Sequence, residues 1–112
     1  VTKARALLDA VYDWSRYDTI PRGYRWILSA VKSDPGFLEE FTGISLKYGN
    51  KGTLRRIGYL LSRAGVEEKM LRGFKKKAGS TKSLIRWIPG RSAKGSVNRE
   101  WGLIVNGVIE TD

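Results

Sequence analysis

The 112-residue sequence contains no cysteine and no histidine. Without cysteine, the chain can form no disulfide and offers no thiolate nucleophile. Without histidine, it lacks the imidazole on which most acid–base and triad mechanisms depend, and Cys/His zinc sites are excluded as well. We therefore predict a non-enzymatic protein with no catalytic residues, no metal site and no cofactor. The lack of cysteine also fits a reducing, cytoplasmic environment.

Long apolar runs are missing too, since none approaches the roughly 18 residues that a membrane span requires. We therefore expect no membrane partner. The sequence shows no cleavable signal peptide, and the absence of an initiating Met suggests a fragment or a processed chain. Its length and its hydrophobic fraction of 41% suit one core, so residues 1–112 are predicted to form a single domain.

Negative charge is scarce in the second half of the chain. Residues 1–50 hold seven Lys/Arg and six Asp/Glu, whereas residues 51–112 hold 14 and five, within a formal net charge of +10. From 69 to 99 there are ten basic residues and no acidic one. Such a distribution attracts phosphate backbones or acidic protein surfaces and speeds encounter with them. It predicts a polyanion or an acidic protein as the partner.

Apolar residues at helical spacing predict five helices in the first part of the chain. These predicted helices span 3–14, 21–31, 37–44, 53–64 and 66–79, with a loop over 48–52. We expect Gly65 to terminate the fourth helix, because glycine is the usual residue at a helix C-terminus. Trp14 and Trp26 occur at helical spacing with other apolar residues, which predicts that both lie in the core.

The pattern changes after residue 80 to alternating, β-forming residues. We predict one strand over 83–88 and a second over 101–105, with a polar, basic loop over 90–98 between them. The Asn-Gly pair at 106–107 favours a hairpin that returns 108–109 antiparallel. The predicted fold class is α+β, with about five helices followed by a small antiparallel sheet of two to three strands.

The sharpest charge feature is the run Lys75-Lys76-Lys77, with Arg72 one turn earlier and Lys82 beyond it. These cations can form a patch that contacts phosphates. They can also be the solvated end of a helix, where the helix dipole favours positive charge. The acid-free stretch around them favours binding.

The segment 91–96 is basic and rich in small residues, and it contains Arg91 and Lys94. It can close around a phosphate or be an ordinary surface loop, and we favour binding. It is not a P-loop, because Lys94 precedes Gly95 instead of following the second glycine of that motif.

Trp87 and Trp101 lie near Arg86, Arg91 and Arg99 in the sequence. Aromatic and arginine side chains interleaved in this way can stack on nucleic-acid bases. On short strands, tryptophan more often packs half-buried into its own domain. We therefore favour packing over base stacking for both residues.

Asp9 and Asp13 are four residues apart and share a helix face. Paired carboxylates can hold a divalent ion or perform acid–base chemistry. Arg5 and Arg16 lie next to them, which favours ordinary surface ion pairs. We therefore assign neither metal binding nor catalysis to these carboxylates.

Residues 2–9 read TKARALLD, residues 53–61 read TLRRIGYLL and precede Gly65-Val66, and residues 101–106 read WGLIVN. In this order and spacing, they resemble three segments of the AbiEi-type antitoxins of abortive-infection, type IV toxin–antitoxin systems. Those segments are an "ERALLD"-like opening helix, an "RRLGYLLE…G" helix and a closing "W-x-L-x-x-N" strand. The resemblance covers essentially the whole chain, with Ile57 where the family commonly has Leu.

Members of that family typically carry an N-terminal winged helix that binds operator DNA, followed by a C-terminal domain that neutralises a nucleotidyltransferase-like toxin. Only the second part is matched, so the resemblance implies an AbiEi-like C-terminal antitoxin domain, with no winged helix in this chain. The implied partners are operator DNA, the cognate nucleotidyltransferase-like toxin, or both.

Gly58 lies inside the helix that carries this resemblance, where glycine costs about 1 kcal/mol relative to alanine. Such a glycine usually marks the close approach of another backbone, so we expect Gly58 to pack tightly on a neighbour. Arg55 and Arg56 flank the apolar stripe of the same helix, and they can be structural or face a partner.

The predicted function is a non-enzymatic binding domain of an antitoxin or transcriptional repressor, acting through a basic surface on DNA, on the toxin or on both. The alternative is a general basic nucleic-acid-binding module, for DNA or RNA, without a toxin partner. The predicted binding residues are Arg55, Arg56, Arg72, Lys75, Lys76, Lys77, Lys82, Arg86, Arg91, Lys94 and Arg99.

Overall fold

The computed structural model of the chain describes residues 2–79 and 82–109. Over these residues the protein is α+β, as predicted, with six helices followed by one three-stranded sheet. None of the helices described there is long and apolar enough to cross a lipid bilayer. The elements are α1 Lys3–Tyr12, α2 Trp14–Tyr17, α3 Arg22–Ser33, α4 Phe37–Tyr48, α5 Lys51–Arg63, α6 Glu68–Ala78, β1 Ile85–Arg86, β2 Ser96–Asn98 and β3 Leu103–Val105.

Polar side chains cap two of the helices and set where they begin. Thr2 caps α1 through its hydroxyl group. The Oδ1 atom of Asn50 accepts a hydrogen bond from the backbone nitrogen of Thr53 at 2.8 Å, so α5 begins at Lys51. The predicted loop over 48–52 is therefore wrong in length, because α4 ends at its first residue and α5 starts within it.

The end of α5 agrees with the prediction made for Gly65. This residue has φ of +88°, a left-handed conformation that glycine adopts without steric cost. Its nitrogen donates to the carbonyl of Ser62 at 3.1 Å, and the nitrogen of Val66 donates to that of Leu61 at 3.0 Å. These bonds satisfy carbonyl groups that the last turn of the helix leaves open.

The first predicted helix, 3–14, is divided into α1 and α2 in the structure. Asp13 lies between them with φ −100° and ψ 34°, outside the helical region. Its nitrogen still donates to the carbonyl of Asp9 at 2.8 Å, which closes α1. Trp14 opens α2 and packs, partly buried, against the core.

The predicted core position of Trp26 is wrong, because this side chain is 46% exposed. The buried stripe of α3 consists of Tyr24, Ile27 and Ala30, which recur at helical spacing. Trp26 lies two residues after Tyr24, about 200° around the helix, and so points away from that stripe.

The hydrophobic core forms around α5, which packs against α1, α3 and α6. Leu54, Ile57 and Leu61 of this helix are fully buried. The C-terminal region covers α5 with two further buried aromatic side chains, Trp87 and Trp101. Trp87 directly follows β1 and Trp101 comes just before β3, so these two side chains attach the sheet to α5.

The sheet is mixed, with strand order β1-β3-β2, and not antiparallel throughout as predicted. β1 pairs with β3 in parallel, with Ile85 beside Leu103, and β2 pairs with β3 antiparallel, with Val97 beside Ile104. β2 comes from the predicted loop over 90–98. Its three residues, Ser96, Val97 and Asn98, are too few for an alternating pattern to identify a strand.

The predicted hairpin at 106–107 is wrong, since 106–109 lie outside any strand. The side chain of Asn106 instead contacts the backbone of Ile88. Its Oδ1 atom accepts from the Ile88 nitrogen at 2.9 Å, and its Nδ2 atom donates to the Ile88 carbonyl at 2.9 Å. The Asn106 side chain thus binds the backbone two residues after β1, and no tight turn forms at 106–107.

Candidate functional site

Arg55 is buried, with 8% of its surface exposed, and it serves the fold. Its Nε atom donates to the carbonyl of Trp101 at 2.9 Å, and its Nη2 atom donates to the carbonyls of Ser83 and Gly102. Burial lowers the pKa of Arg55 from its usual value. The inclusion of Arg55 among the binding residues is corrected, because its guanidinium is occupied inside the domain.

Arg56, the next residue, is half-buried and reaches the sheet. Its Nε atom donates to the carbonyl of Arg86 at 3.0 Å, and its own carbonyl accepts from Nε1 of Trp87 at 3.2 Å. Its guanidinium also lies 5.8 Å from the ring centroid of Trp14. α5 and β1 together therefore hold this cation in place.

Two further arginines complete a chain of contacts with Arg56. An Nη1 atom of Arg86 donates to the carbonyl of Arg91 at 3.0 Å, and the side chains of both residues are exposed. We call Arg56, Arg86 and Arg91 the arginine cluster. No carboxylate of the described residues forms an ion pair with any of the three.

Electrostatics within the arginine cluster are unfavourable. Burial, and the positive charges of Arg55 and Arg86, lower the pKa of Arg56, while its interaction with Tyr24 opposes this change. Arginine stays protonated at any physiological pH, so the repulsion persists. A bound anion would relieve it.

The basic loop 90–95 continues from the arginine cluster, and all of its residues are exposed. The Nδ2 atom of Asn106 donates to the carbonyl of Ser92 at 3.0 Å, and the hydroxyl of Ser92 accepts from the nitrogen of Lys94 at 3.3 Å. These bonds tie the middle of the loop to the end of the sheet. Lys94 is exposed beyond that attachment.

The triple lysine on α6 does not act as one uniform patch. The Nζ atom of Lys75 lies 3.2 Å from Glu68 and 3.4 Å from Glu100. Burial alone would lower the pKa of Lys75, but these two carboxylates raise it. The acid-free stretch of sequence around this run thus does not leave Lys75 without anionic partners.

The other predicted cations of α6 and its surroundings remain at the surface. Lys77 is exposed, although its Nζ atom donates to the carbonyl of Leu46 on α4. The remaining ones are exposed as well: Arg72, Lys76, Lys82 and Arg99. The contacts of the structure therefore gather three predicted residues into one cluster and place the α6 cations on a second region.

Trp87 and Trp101 are buried, in agreement with packing and not base stacking. The Trp87 ring stacks on Tyr24 with centroids 4.6 Å apart, and Tyr59 meets it edge-on at 5.0 Å. The Trp101 ring lies directly against Gly58. The predicted close neighbour of Gly58 is thus a tryptophan ring, where a backbone was expected.

Sequence reasoning missed a groove of about 940 Å³ between α3, α5 and residues 105–109. Arg25 and Lys32 on α3 and Arg63 on α5 line it, and none of its described lining residues carries a carboxylate. These segments are far apart in the sequence, so no local pattern joins them. One signal was present, since Arg25 and Lys32 are seven residues apart and share a helix face.

No protein-family model, no curated protein and no solved structure matches this chain. Three of the residues that carry the resemblance to AbiEi-type antitoxins are used internally: Arg55 and Gly58 contact Trp101, and Asn106 contacts Ile88. These positions determine packing. A function in binding is therefore argued from the exposed cations and from the groove.

Proposed function

We propose that this chain is a non-enzymatic, DNA-binding domain of an antitoxin or transcriptional repressor of a toxin–antitoxin system. The arginine cluster supports this proposal more strongly than any other feature. The guanidinium of Arg56 reaches the backbone of Arg86, that of Arg86 reaches the backbone of Arg91, and no carboxylate of the described chain pairs with the three residues. The resemblance to AbiEi-type antitoxins supports the regulatory setting.

The geometry of the arginine cluster suits phosphate. Arg56 and Arg86 each donate one N–H group to a backbone carbonyl, which fixes the side chains. A guanidinium has five N–H donors in a planar fork, so the others can meet phosphate oxygens in pairs. Because these two side chains are already held, less side-chain entropy is lost on binding.

Loop 90–95 extends this surface with Lys94, a compact cation on a flexible side chain. Contacts to phosphate position a protein on DNA but do not read its sequence. The cluster and the loop therefore account for affinity, and sequence specificity would have to come from other contacts. In the proposed regulator, an upstream winged helix would supply them.

The direct test measures the affinity of the purified chain for a fluorescein-labelled, mixed-sequence DNA duplex by anisotropy. We expect the variant Arg86→Gln/Arg91→Gln to bind about tenfold more weakly, because two phosphate contacts are lost. The matched control is Arg25→Gln/Arg63→Gln, which removes the same charge at the groove and should change affinity much less. Equal weakening in both variants would show a dependence on net charge alone and would refute the cluster as the site.

The same assay with single-stranded DNA and with duplex RNA tests the alternative of a general nucleic-acid-binding module. Tighter binding of duplex DNA than of either other probe supports the proposed regulator. Equal affinities for all three at one salt concentration would favour the general module, since the phosphate backbone is common to them.

A further inference from the structure

We propose that the groove between α3, α5 and residues 105–109 binds an acidic, amphipathic peptide segment of a partner protein. This site shares no lining residue with the arginine cluster, although the Nη1 atom of Arg91 lies beside Gly107 at the end of the groove. The inference goes beyond nucleic-acid binding, because it assigns a protein partner of stated chemistry to a second surface.

The charges of the groove favour an acidic segment. Arg25 and Lys32 are two helical turns apart on α3, about 10 Å along its axis. Arg63 adds positive charge from the facing helix, and no described lining residue carries a carboxylate. Carboxylates on both sides of the apolar stripe of a bound segment would meet cations on both walls.

Between these cations, the groove also presents apolar surface. Its aliphatic lining comes from all three walls: Leu28 and Val31 on α3, Leu60 on α5, and Val105 and Ile109 beyond them. A segment with apolar residues at positions i, i+3, i+4 and i+7 presents a matching stripe. The groove thus offers apolar contact inside and positive charge at its sides.

The aromatic residues of the groove do not form a platform for nucleic-acid bases. Tyr24 stacks on Trp87 at 4.6 Å, and Tyr59 meets the Trp87 ring edge-on. Trp26 is the more exposed ring, and the guanidinium of Arg22 lies 6.0 Å from its centroid. Stacking of a single strand uses accessible rings for successive bases, and Trp26 is the only exposed ring among the described lining residues, so these contacts favour a peptide over a single strand.

The groove is also too open for a small-molecule site. Trp26 is 46% exposed and Val108 is 85% exposed, although both belong to its lining. Small-ligand pockets typically cover 70–90% of the ligand, whereas a peptide in a groove keeps one side in solvent. A polypeptide segment is therefore the occupant that fits.

The test uses a labelled helical peptide of about 16 residues, with Leu at i, i+3, i+4 and i+7 and Glu at the positions that flank this stripe on both sides. One matched peptide has Lys in place of each Glu, and a thymidine oligonucleotide serves as the nucleic-acid probe. We expect anisotropy to show binding of the acidic peptide to the full chain, and NMR shift changes at 25–32, 59–64 and 105–109.

The variant Arg25→Glu/Arg63→Glu should lose the acidic peptide by about tenfold or more, because both walls then repel it. The control Arg72→Glu/Lys76→Glu makes the same change in net charge on α6, outside the groove, and should retain binding. Val108→Asp tests the apolar contact, and its exposed position preserves the fold.

Four outcomes would refute the groove as an acidic-peptide site. They are no binding of the acidic peptide at millimolar concentration, equal binding of the lysine peptide, equal loss in the groove variant and its α6 control, and tighter binding of the oligonucleotide at the groove. Circular dichroism and the Tm of each variant confirm that it is folded. DNA binding is assigned to the arginine cluster and is measured with other variants. A negative result in the DNA assay would therefore not refute the groove, and a negative result with the peptide would not refute DNA binding.

Discussion

At the scale of single residues, Gly58 is the glycine of α5 with the least space for a side chain. A Cβ atom built at this position would lie 2.3 Å from Cζ3 of Trp101, well inside van der Waals contact. Trp101 is itself buried and cannot move aside without displacing the segment that carries it. The indole ring therefore occupies the space that any other residue at 58 would need.

We expect Gly58→Ala to lower the free energy of unfolding by about 1–3 kcal/mol, the usual cost of overpacking a core. This loss should appear although alanine favours a helix over glycine by about 1 kcal/mol. The matched control is Gly43→Ala on α4, where nothing lies within 4 Å of the added methyl group, so stability should rise. Urea denaturation measures both, and an unchanged Gly58→Ala variant would contradict the packing described.

Burial of Tyr24 makes the stability of the protein fall at alkaline pH. Its buried hydroxyl donates to the carbonyl of Trp87, and burial raises the pKa of Tyr24 far above its usual value. The folded state therefore holds the phenolic proton after the unfolded chain has released it near pH 10. This stabilisation is complete below pH 10 and is lost as the pH rises from there.

Accordingly, Tyr24→Phe should reduce the fall in stability between pH 9 and 11 that the unchanged protein shows. At pH 7, the variant should be less stable by about 1–3 kcal/mol, since the Trp87 carbonyl loses its donor. Tyr12→Phe, at an exposed tyrosine, is the control and should leave both quantities nearly unchanged. Thermal unfolding across this pH range provides the comparison, and parallel curves for Tyr24→Phe and the parent would argue against a buried phenol.

At the scale of secondary-structure elements, Arg55 joins α5 to the C-terminal sheet. It binds the carbonyls of Ser83, Trp101 and Gly102, which lie just before β1 and β3. We expect Arg55→Met to cost about 2–4 kcal/mol, because buried carbonyls lose their donors. Arg63→Met, at an exposed position of the same helix, should change stability by less than about 0.5 kcal/mol. Equal effects in chemical denaturation would disprove this role.

Neighbouring positions also show what could not be read from the sequence. Arg55 and Arg56 have the same chemistry, yet one is buried and the other half-exposed, because successive helical residues differ by about 100° in direction. The sequence identifies both as candidates. Only the packing of α5 against the sheet decides which one can meet a ligand.

The helices were predictable because their signals are local. The apolar stripes, Thr2 and Gly65 all act within a few residues of their own position, and α3 to α6 lie close to the predicted ranges. The sheet depends on distant partners, so the parallel pairing of β1 with β3 had no local signal. The Asn-Gly signal at 106–107 was overridden because the Asn106 amide meets the backbone of Ile88.

At the scale of the whole molecule, a net charge of +10 is divided among several surfaces, and two of them, the arginine cluster and α6, have different surroundings. The arginine cluster has no carboxylate partner among the described residues, whereas Lys75 on α6 is paired with Glu68 and Glu100. The density of cations along the sequence could be counted, but their pairing could not. A count of lysines therefore does not distinguish the paired Lys75 from the exposed Arg72 and Lys76 of the same helix.

This difference determines how binding to DNA should respond to salt. The logarithm of affinity should fall linearly with the logarithm of salt concentration, with about 0.9 units of slope for each phosphate contacted. Arg86→Gln/Arg91→Gln should reduce this slope by about 2, and Lys75→Gln by much less, because Lys75 already has two anionic partners. Identical slopes in the two variants would mean that ion pairing on α6 does not protect Lys75 from competition.

The bidentate contact of Asn106 has a consequence for the shape of the molecule. The Asn106 amide binds both the N–H and the carbonyl of Ile88. The backbone of residues 107–109 therefore does not pair with Ile88, and the chain leaves the direction of β3. The next residues then run beside α3 and form one bank of the groove. A single carboxamide thus sets the path of residues 107–109. We expect a substitution of Asn106 to change that path and to leave the helices in place.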